Sequence, residues 1–265
     1  MNEPYGWWLP INISANGAPI DQLITTLHWF MVLLFIGWGI FFLYCLFRFR
    51  ARPGHQADAS PKHFRLPTYL EVGVALFEVF LLVFISYPIW SKVKNDMPSD
   101  EEAMVVRVTA EQFAWNIHYA GKDGIFGQTS PDLISPEDNN PIGLDRENDP
   151  NAKDDIISIN VMHFPVNKKV KVYLSSKDVI HSFGIPVMRV KQDAIPGTVI
   201  PVWFEANKTG TFEIMCAQLC GVGHTRMRGE IHVDTEEEFQ KCLQDEAQYL
   251  DEYSDAGQRE DDSDV

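Results

Sequence analysis

Cys216-Ala217-Gln218-Leu219-Cys220-Gly221-Val222-Gly223-His224-Thr225-Arg226-Met227 brings two thiols, an imidazole and a thioether into one short bend. A loop leaving a strand can aim all four at a single point. Thiolate and thioether donors combined with imidazole select copper among biological metals, or zinc where the thioether stands aside. Thiols bind only after losing their protons, and a metal supplies the stabilisation that allows it. A mononuclear blue-copper site uses one Cys, so the second thiol needs another account. Two cysteines four positions apart on a turning loop can each bridge a pair of copper ions. Each ion then needs one terminal imidazole and one weak axial donor. His224 and Met227 are local, and the second imidazole comes from elsewhere. Asp178-Val179-Ile180-His181-Ser182-Phe183, at the end of a strand-like segment, is the best source. The competing reading is a plain Cys216–Cys220 disulfide in an oxidising compartment, which the company of His224, Met227 and His181 disfavours.

The other candidate donors read as structural. His163 and His232 fall in strand-like segments without companion ligands, and His118 sits beside Tyr119. Met162 and Met188 suit a core. Cys45 and Cys242 are solitary.

Around the bend, the stretches 105–110, 156–162, 169–174, 199–204 and 211–215 are short and rich in Val, Ile, Thr and aromatics. Turn residues separate them, among them Asn207-Lys208-Thr209-Gly210 and Ile195-Pro196-Gly197. Short strands without helical periodicity between them predict an antiparallel sandwich or barrel over residues 103–233. A polar, proline-containing insertion at about 121–155 interrupts the pattern and is longer than most loops.

Beyond it, residues 234–265 hold thirteen Asp or Glu against Lys241 and Arg259, a net −11 of the whole-chain −15. The low charge is thus concentrated in an acidic C-terminal tail, and a chain this acidic lacks the cations that neutralise phosphates, which excludes nucleic acid as a partner. Thr235 and Glu238 predict a cap for a short helix. Residues 254–265 read as disordered.

Toward the N-terminus the composition turns apolar. Residues 22–47 contain no Asp, Glu, Lys or Arg, and about 20 helical residues cross a bilayer core. A second run, 66–90, is interrupted by Glu71 and Glu78. Carboxylates at bilayer depth are costly and face protein or water, so Glu78 is expected against a partner helix. Glu3 and Asp21 precede the first run where a secretory signal would carry basic residues. The result is a transmembrane hairpin over 22–92, anchored in membrane lipid, with Trp7, Trp8, Trp29 and Trp90 as interfacial residues. The connecting loop, 48–65, holds Arg48, Arg50, Arg52, Lys62 and Arg65 against Asp58. The positive-inside rule puts it in the cytoplasm, with the N-terminal segment 1–21 and the C-terminal domain exported.

A two-span hairpin followed by a strand-rich domain with this loop resembles subunit II of the haem–copper cytochrome c oxidases, over roughly residues 20–233. The resemblance implies an N-terminal transmembrane α-helical hairpin plus an all-β cupredoxin domain, a Greek-key sandwich. It implies a binuclear copper site, CuA, with two copper ions. In it Cys216 and Cys220 are bridges, His181 and His224 terminal ligands, and Met227 and the backbone carbonyl of Gln218 axial donors. By the same resemblance electrons come from cytochrome c and enter near Phe113 and Trp115, in the run Gln112-Phe113-Ala114-Trp115-Asn116-Ile117-His118-Tyr119. They pass to haem in subunit I, which also holds CuB and reduces oxygen to water with proton pumping. Strand alternation puts Phe113 and Trp115 on one face. Lys191-Gln192-Asp193-Ala194-Ile195-Pro196-Gly197 is similar to the family segment facing subunit I. Gln218 stands where many relatives have a Glu whose side chain binds Mg or Mn at that junction, so Gln218 and Asp193 form a weakened version of that site. Glu71 is similar to the carboxylate at the mouth of a proton path. The implied setting is a bacterial cytoplasmic membrane with the copper domain on the periplasmic face and other oxidase subunits as partners. A membrane-anchored copper chaperone or thiol oxidoreductase using Cys216 and Cys220 is the alternative. It usually has one anchor and an α/β fold, at odds with the hairpin and the strands.

Overall fold

The computed structural model describes residues 9–54, 65–136 and 139–261, with side chains as far as Gln248. It divides into two compact units, residues 18–96 and the remainder of the chain.

In the first unit two helices are long and apolar enough to cross a membrane, Gly17–Arg48 and Leu66–Asn95. The first begins five residues before the apolar run, because Gly17 to Asp21 extend its first turn. The second passes through a π-helical stretch at Leu81–Ser86, just ahead of Pro88. A proline cannot donate a backbone hydrogen bond, and looser i→i+5 bonding absorbs that loss without ending the helix. Phe30 and Phe77 meet across the pair, with centroids 4.7 Å apart. Their outward side chains are exposed, as a bilayer solvent requires; Glu71 and Glu78 are among them. Trp7, Trp8 and loop residues 55–64, including Asp58 and Lys62, lie outside the described residues.

The second unit is a sandwich of two five-stranded sheets. The strands are β1 Met104–Glu111, β2 Ala114–Tyr119, β3 Ile156–Ile159, β4 Val161–Pro165, β5 Lys169–Ser176, β6 His181–Ile185, β7 Val190–Ala194, β8 Ile200–Glu205, β9 Gly210–Cys216 and β10 Arg228–Asp234. One sheet runs β3-β2-β1-β5-β8 and the other β4-β10-β9-β6-β7. Trp115, Ile117, Phe164, Phe183, Phe204 and Ile214 fill the space between them.

The sheets are mixed rather than purely antiparallel: β1 runs parallel to β5, and β4 parallel to β10. Parallel neighbours require crossovers, and the chain crosses between sheets inside what the sequence presents as one strand. Asn160 sits at φ 63°, in the left-handed region an Asn tolerates. It splits the stretch 156–162 into β3 of one sheet and β4 of the other. Its Oδ1 accepts from the Trp115 backbone N–H at 2.8 Å, and its carbonyl accepts from Glu230 N–H at 2.7 Å.

The insertion is ordered around acids. Asp155 is fully buried and accepts from the N–H groups of Gly121 and Gly127 and from His118 Nε2 at 2.6 Å. Ile142, Leu144 and Ala152 form a small apolar cluster beside it. The N-terminal segment also joins the sandwich. Ile13 is buried, its N–H donates to Val187 O and its carbonyl accepts from Asn207 N–H. Burying one such side chain is worth roughly 1.5–3 kcal/mol.

The C-terminal helix is longer than its acidity suggests, running Glu236–Asp261 rather than ending early before a disordered tail. The expected cap is present: Glu238 N–H donates to Thr235 Oγ1 at 3.3 Å, and Thr235 N–H donates back to Glu238 Oε2 at 2.9 Å. Phe239 is buried and Leu243, four residues on, packs against the core. These two apolar residues at helical spacing face the sandwich, while the acids from Glu236 to Glu246 are exposed.

Candidate metal centre

Strand β9 ends at Cys216, and the bend that follows returns to β10 at Arg228. The turn is held by its own backbone: Cys216 N–H donates to Met227 O, and Met227 N–H to Gly223 O. Gly221, at φ 138°, takes a conformation that side chains resist. A Cβ on Gly223 would lie 2.4 Å from the Phe113 ring. Phe113 therefore presses on the bend, while Gln112 Nε2 donates to Cys220 O at 2.6 Å.

The donor groups converge. The Cys216 and Cys220 sulfurs are 3.8 Å apart and both cysteines are free, far from the roughly 2.05 Å of a disulfide. His181, buried at the start of β6, reaches over from the neighbouring strand. Its Nδ1 is 3.1 Å from Met227 Sδ and 4.0 Å from Cys216 Sγ. His224 Nδ1 is 3.6 Å from Cys220 Sγ, and Met227 Sδ is 3.7 Å from it. The Gln218 side chain belongs to an exposed residue, but its carbonyl turns inward and accepts from the Cys216 thiol at 3.1 Å.

One further residue orients the cluster. Asp178 Oδ1 lies 2.8 Å from His181 Nε2, which makes that nitrogen the protonated donor and leaves the Nδ1 lone pair facing the sulfurs. Gln112 and Val179 N–H groups also donate to Asp178. Burial opposes its charge, yet these hydrogen bonds, led by His181, hold its carboxyl below the ordinary value. The sequence reading quotes Asp178 but assigns it no part. An acid three residues before a ligand-type His is the signal that was there to use, because metal-bound imidazoles commonly donate to a carboxylate.

The chemistry of the set fits a soft cation. Burial, and then the neighbouring Cys216 thiol, push Cys220 up to about 11, so its sulfur stays protonated at neutral pH unless a positive charge replaces the proton. Two free thiols, two imidazoles, a thioether and a turned-in carbonyl fit copper.

The remaining sequence candidates are distributed around this point. Trp115 is fully buried, edge-on to His181 at 6.2 Å. Phe113 is half-buried on the bend and precedes β2, which starts at Ala114. Strand alternation therefore does not reach Phe113, and the two rings meet the cluster from different directions. Asp193 pairs with Ser182 across β6 and β7, accepting from its hydroxyl at 2.7 Å. Ser182 O accepts from Ala217 N–H, which links Asp193 to the bend one residue before Gln218. Glu71 is in the other unit, exposed on its helix. His163 and His232 are not isolated: β4 and β10 bring them ring to ring beside Asp234. They are 69 positions apart, so local spacing carried no signal of it.

Residues 104–234 match the family described as cytochrome c oxidase subunit II, periplasmic domain. The alternative cytochrome c oxidase subunit 2 of Bradyrhizobium diazoefficiens is 36% identical over 239 residues, covering 90% of this chain and 83% of that one. Cytochrome c oxidase subunit 2 of Cereibacter sphaeroides is 29% identical, covering 87% and 78%. Among solved structures, the periplasmic domain of cytochrome oxidase subunit II of Bradyrhizobium japonicum matches at 30% identity and a TM-score of 0.42, covering 58% of this chain and 98% of that one. Two membrane-spanning helices, a cupredoxin-like β-sandwich and a relative matched at 36% identity over most of both lengths lead to one assignment. The chain belongs to the cytochrome c oxidase subunit II family, as a membrane-anchored subunit of an oxidase complex.

Proposed function

We propose that this chain is the electron-receiving subunit of its oxidase, and that its Cys-lined bend holds the binuclear copper centre CuA. Cys216 and Cys220, His181 and His224, Met227 and the Gln218 carbonyl would hold the copper. The supporting observation is the convergence of these six groups, through separations of 3.1–4.0 Å, around two sulfurs that are not joined to each other. When bound, the copper pair supplies one-electron exchange between cytochrome c outside and haem in subunit I.

The chain's own residues supply the rest. Asp178 fixes the His181 tautomer, and the paired strands β6 and β9 hold the ligands in one geometry whatever the charge. Phe113 covers the bend and Trp115 backs His181, so electrons arriving at the exposed rim of Phe113 meet a packed path inward. Asp193 and Gln218 face subunit I, where the Gln218 amide gives Mg or Mn a neutral ligand only. Glu71 lies at the mouth of a proton path. The basic loop 48–65 is cytoplasmic, and both termini are periplasmic. Docking of Ile13 onto the sandwich agrees with that, since it keeps the N-terminal segment on the sandwich's side of the membrane. A copper chaperone or thiol oxidoreductase working through Cys216 and Cys220 is not favoured by the family.

Copper reconstitution of the detergent-solubilised full chain tests the reading. The expected result is two coppers per chain, a purple colour and an EPR pattern of one electron shared over two nuclei. A single copper, or a colourless chain with Cys216 joined to Cys220, overturns it.

A further inference from the structure

A second set of donors lies on the outer face of the sheet that carries the Cys-lined bend. Along β10 the side chains alternate: Ile231 and Val233 enter the core, while Glu230, His232 and Asp234 point outward. Strand β4 runs parallel to β10 with His163 directly opposite His232. The two imidazoles stack with centroids 4.4 Å apart and planes 11° from parallel. His163 Nδ1 is 2.7 Å from Asp234 Oδ2. One donor atom from each of His163, His232 and Asp234 lies within 4.8 Å of the other two.

We propose that His163, His232 and Asp234 form a second metal site, for a divalent first-row transition ion such as Zn2+. Two imidazoles and a carboxylate are the donor set that such ions take, without the sulfur that marks a copper site of the first kind. Zinc binds N and O donors at about 2.0–2.2 Å, which in a tetrahedral shell sets them roughly 3.3–3.5 Å apart. The observed spacings, from 2.7 Å to the 4.8 Å limit, bracket that value. Rotation of the imidazoles about their ring torsions closes the difference and leaves the strands in place.

The surroundings favour binding. His163 is anchored by Tyr119, whose hydroxyl accepts from His163 N–H at 2.8 Å and donates to His163 O at 3.1 Å. Thr211 Oγ1 lies 3.2 Å from His232 Nδ1, and Glu230 Oε2 lies 3.4 Å from His232 Nε2. One such partner orients a ligating imidazole through the nitrogen that does not bind, and the other gives way to the ion. The three side chains are 18–28% exposed, open enough to admit an ion and covered enough to shield it. Because β4 is the edge strand of its sheet, an ion there ties that edge to its only neighbour in the sheet. The proposal is independent of what occupies the Cys-lined bend.

The test is a Zn2+ titration of the detergent-solubilised full chain carrying Cys216→Ser and Cys220→Ser, which removes the two thiols of the bend from competition. One equivalent of zinc is expected, with a K-edge absorption spectrum reading a shell of N and O only and two imidazoles. His163→Ala and His232→Ala should each weaken binding by about 100-fold, and Asp234→Asn by about tenfold, with circular dichroism unchanged. No uptake by the parent chain overturns the proposal, and so does uptake that survives the paired His163→Ala and His232→Ala substitutions. If a histidine variant loses its fold, the absorption spectrum of the parent decides by itself: a shell without two imidazoles rejects the site.

Discussion

The sheet β4-β10-β9-β6-β7 carries two clusters of ligand-type residues, and they are built in opposite ways. At the Cys-lined bend most of the donors come from one loop, and His181 alone arrives from a neighbouring strand. At the outer cluster the histidines come from strands far apart in sequence, set side by side by a parallel crossover. The first is buried and rich in sulfur; the second is half-exposed and without it. A cluster on one loop is specified by local spacing, whereas a cluster on two strands exists only once the strand register is fixed.

The largest expected effect tests the local cluster. Cys216→Ser removes one of the two sulfurs proposed to hold the copper, and it should abolish the two-copper EPR signal. Turnover of the assembled oxidase should fall by more than the roughly 100-fold cost of losing a ligand's hydrogen-bond partner. Cys242→Ser, half-buried on the C-terminal helix, should leave both unchanged. Retained turnover in Cys216→Ser would remove the distinction between the two clusters.

Asp178→Asn comes next. It keeps the shape of the side chain but withdraws the charge that holds His181 in one tautomer. Copper affinity, measured by chelator competition, should drop about 10–100-fold while the fold persists. An unchanged affinity would mean that the bend alone sets the site.

Asn160→Ala tests the long-range side. The left-handed backbone at Asn160 and its bond to Trp115 N–H let the chain change sheets between β3 and β4. Their loss should cost about 2 kcal/mol in chemical denaturation. It should disturb the His163–His232 stack more than the Cys-lined bend, which heteronuclear NMR of the imidazoles can read.

Thr235→Ala removes a helix cap and should cost about 1 kcal/mol, seen as a lower melting temperature.

The smallest effect is in acid. Lys171 and then Tyr173 hold the Asp100 carboxyl below its ordinary value. Its stabilisation is present above the unfolded value, about 3.9, and disappears as pH falls through the lower folded value. Wild type and Asp100→Asn should therefore differ slightly in stability at pH 6 and converge near pH 2. Asp100 is exposed, so solvent screening keeps the difference small.

Legibility followed the same division. Strands β1, β5, β8 and β9 showed as alternating or β-branched runs at nearly their observed limits. Strand β10 showed only as a strand-like setting for His232, without limits, because it follows the bend directly. The boundary between β3 and β4 was hidden, since a single Asn in a left-handed conformation breaks no hydrophobic pattern. The helix Glu236–Asp261 was underestimated because its ten acids obscured Phe239 and Leu243, which pack on the sandwich. At the bend, the residue types and spacing pointed to Cys216, Cys220, His224 and Met227, which the structure brings together with His181. The part of Asp178 depends on a hydrogen bond that spacing merely permits.

By itself the sequence determined the two apolar spans, the strand-rich domain and the cluster of thiol, imidazole and thioether groups in the Cys-lined bend. Each is a local property: a length of apolar chain, an alternation, a spacing within one loop. Only the tertiary structure decided that the sheets are mixed, that Trp115 packs against His181 while Phe113 presses on the bend, and that His163 meets His232. These depend on which strands become neighbours. That choice is made by burial of both sheet faces against each other, and no short window of sequence contains it.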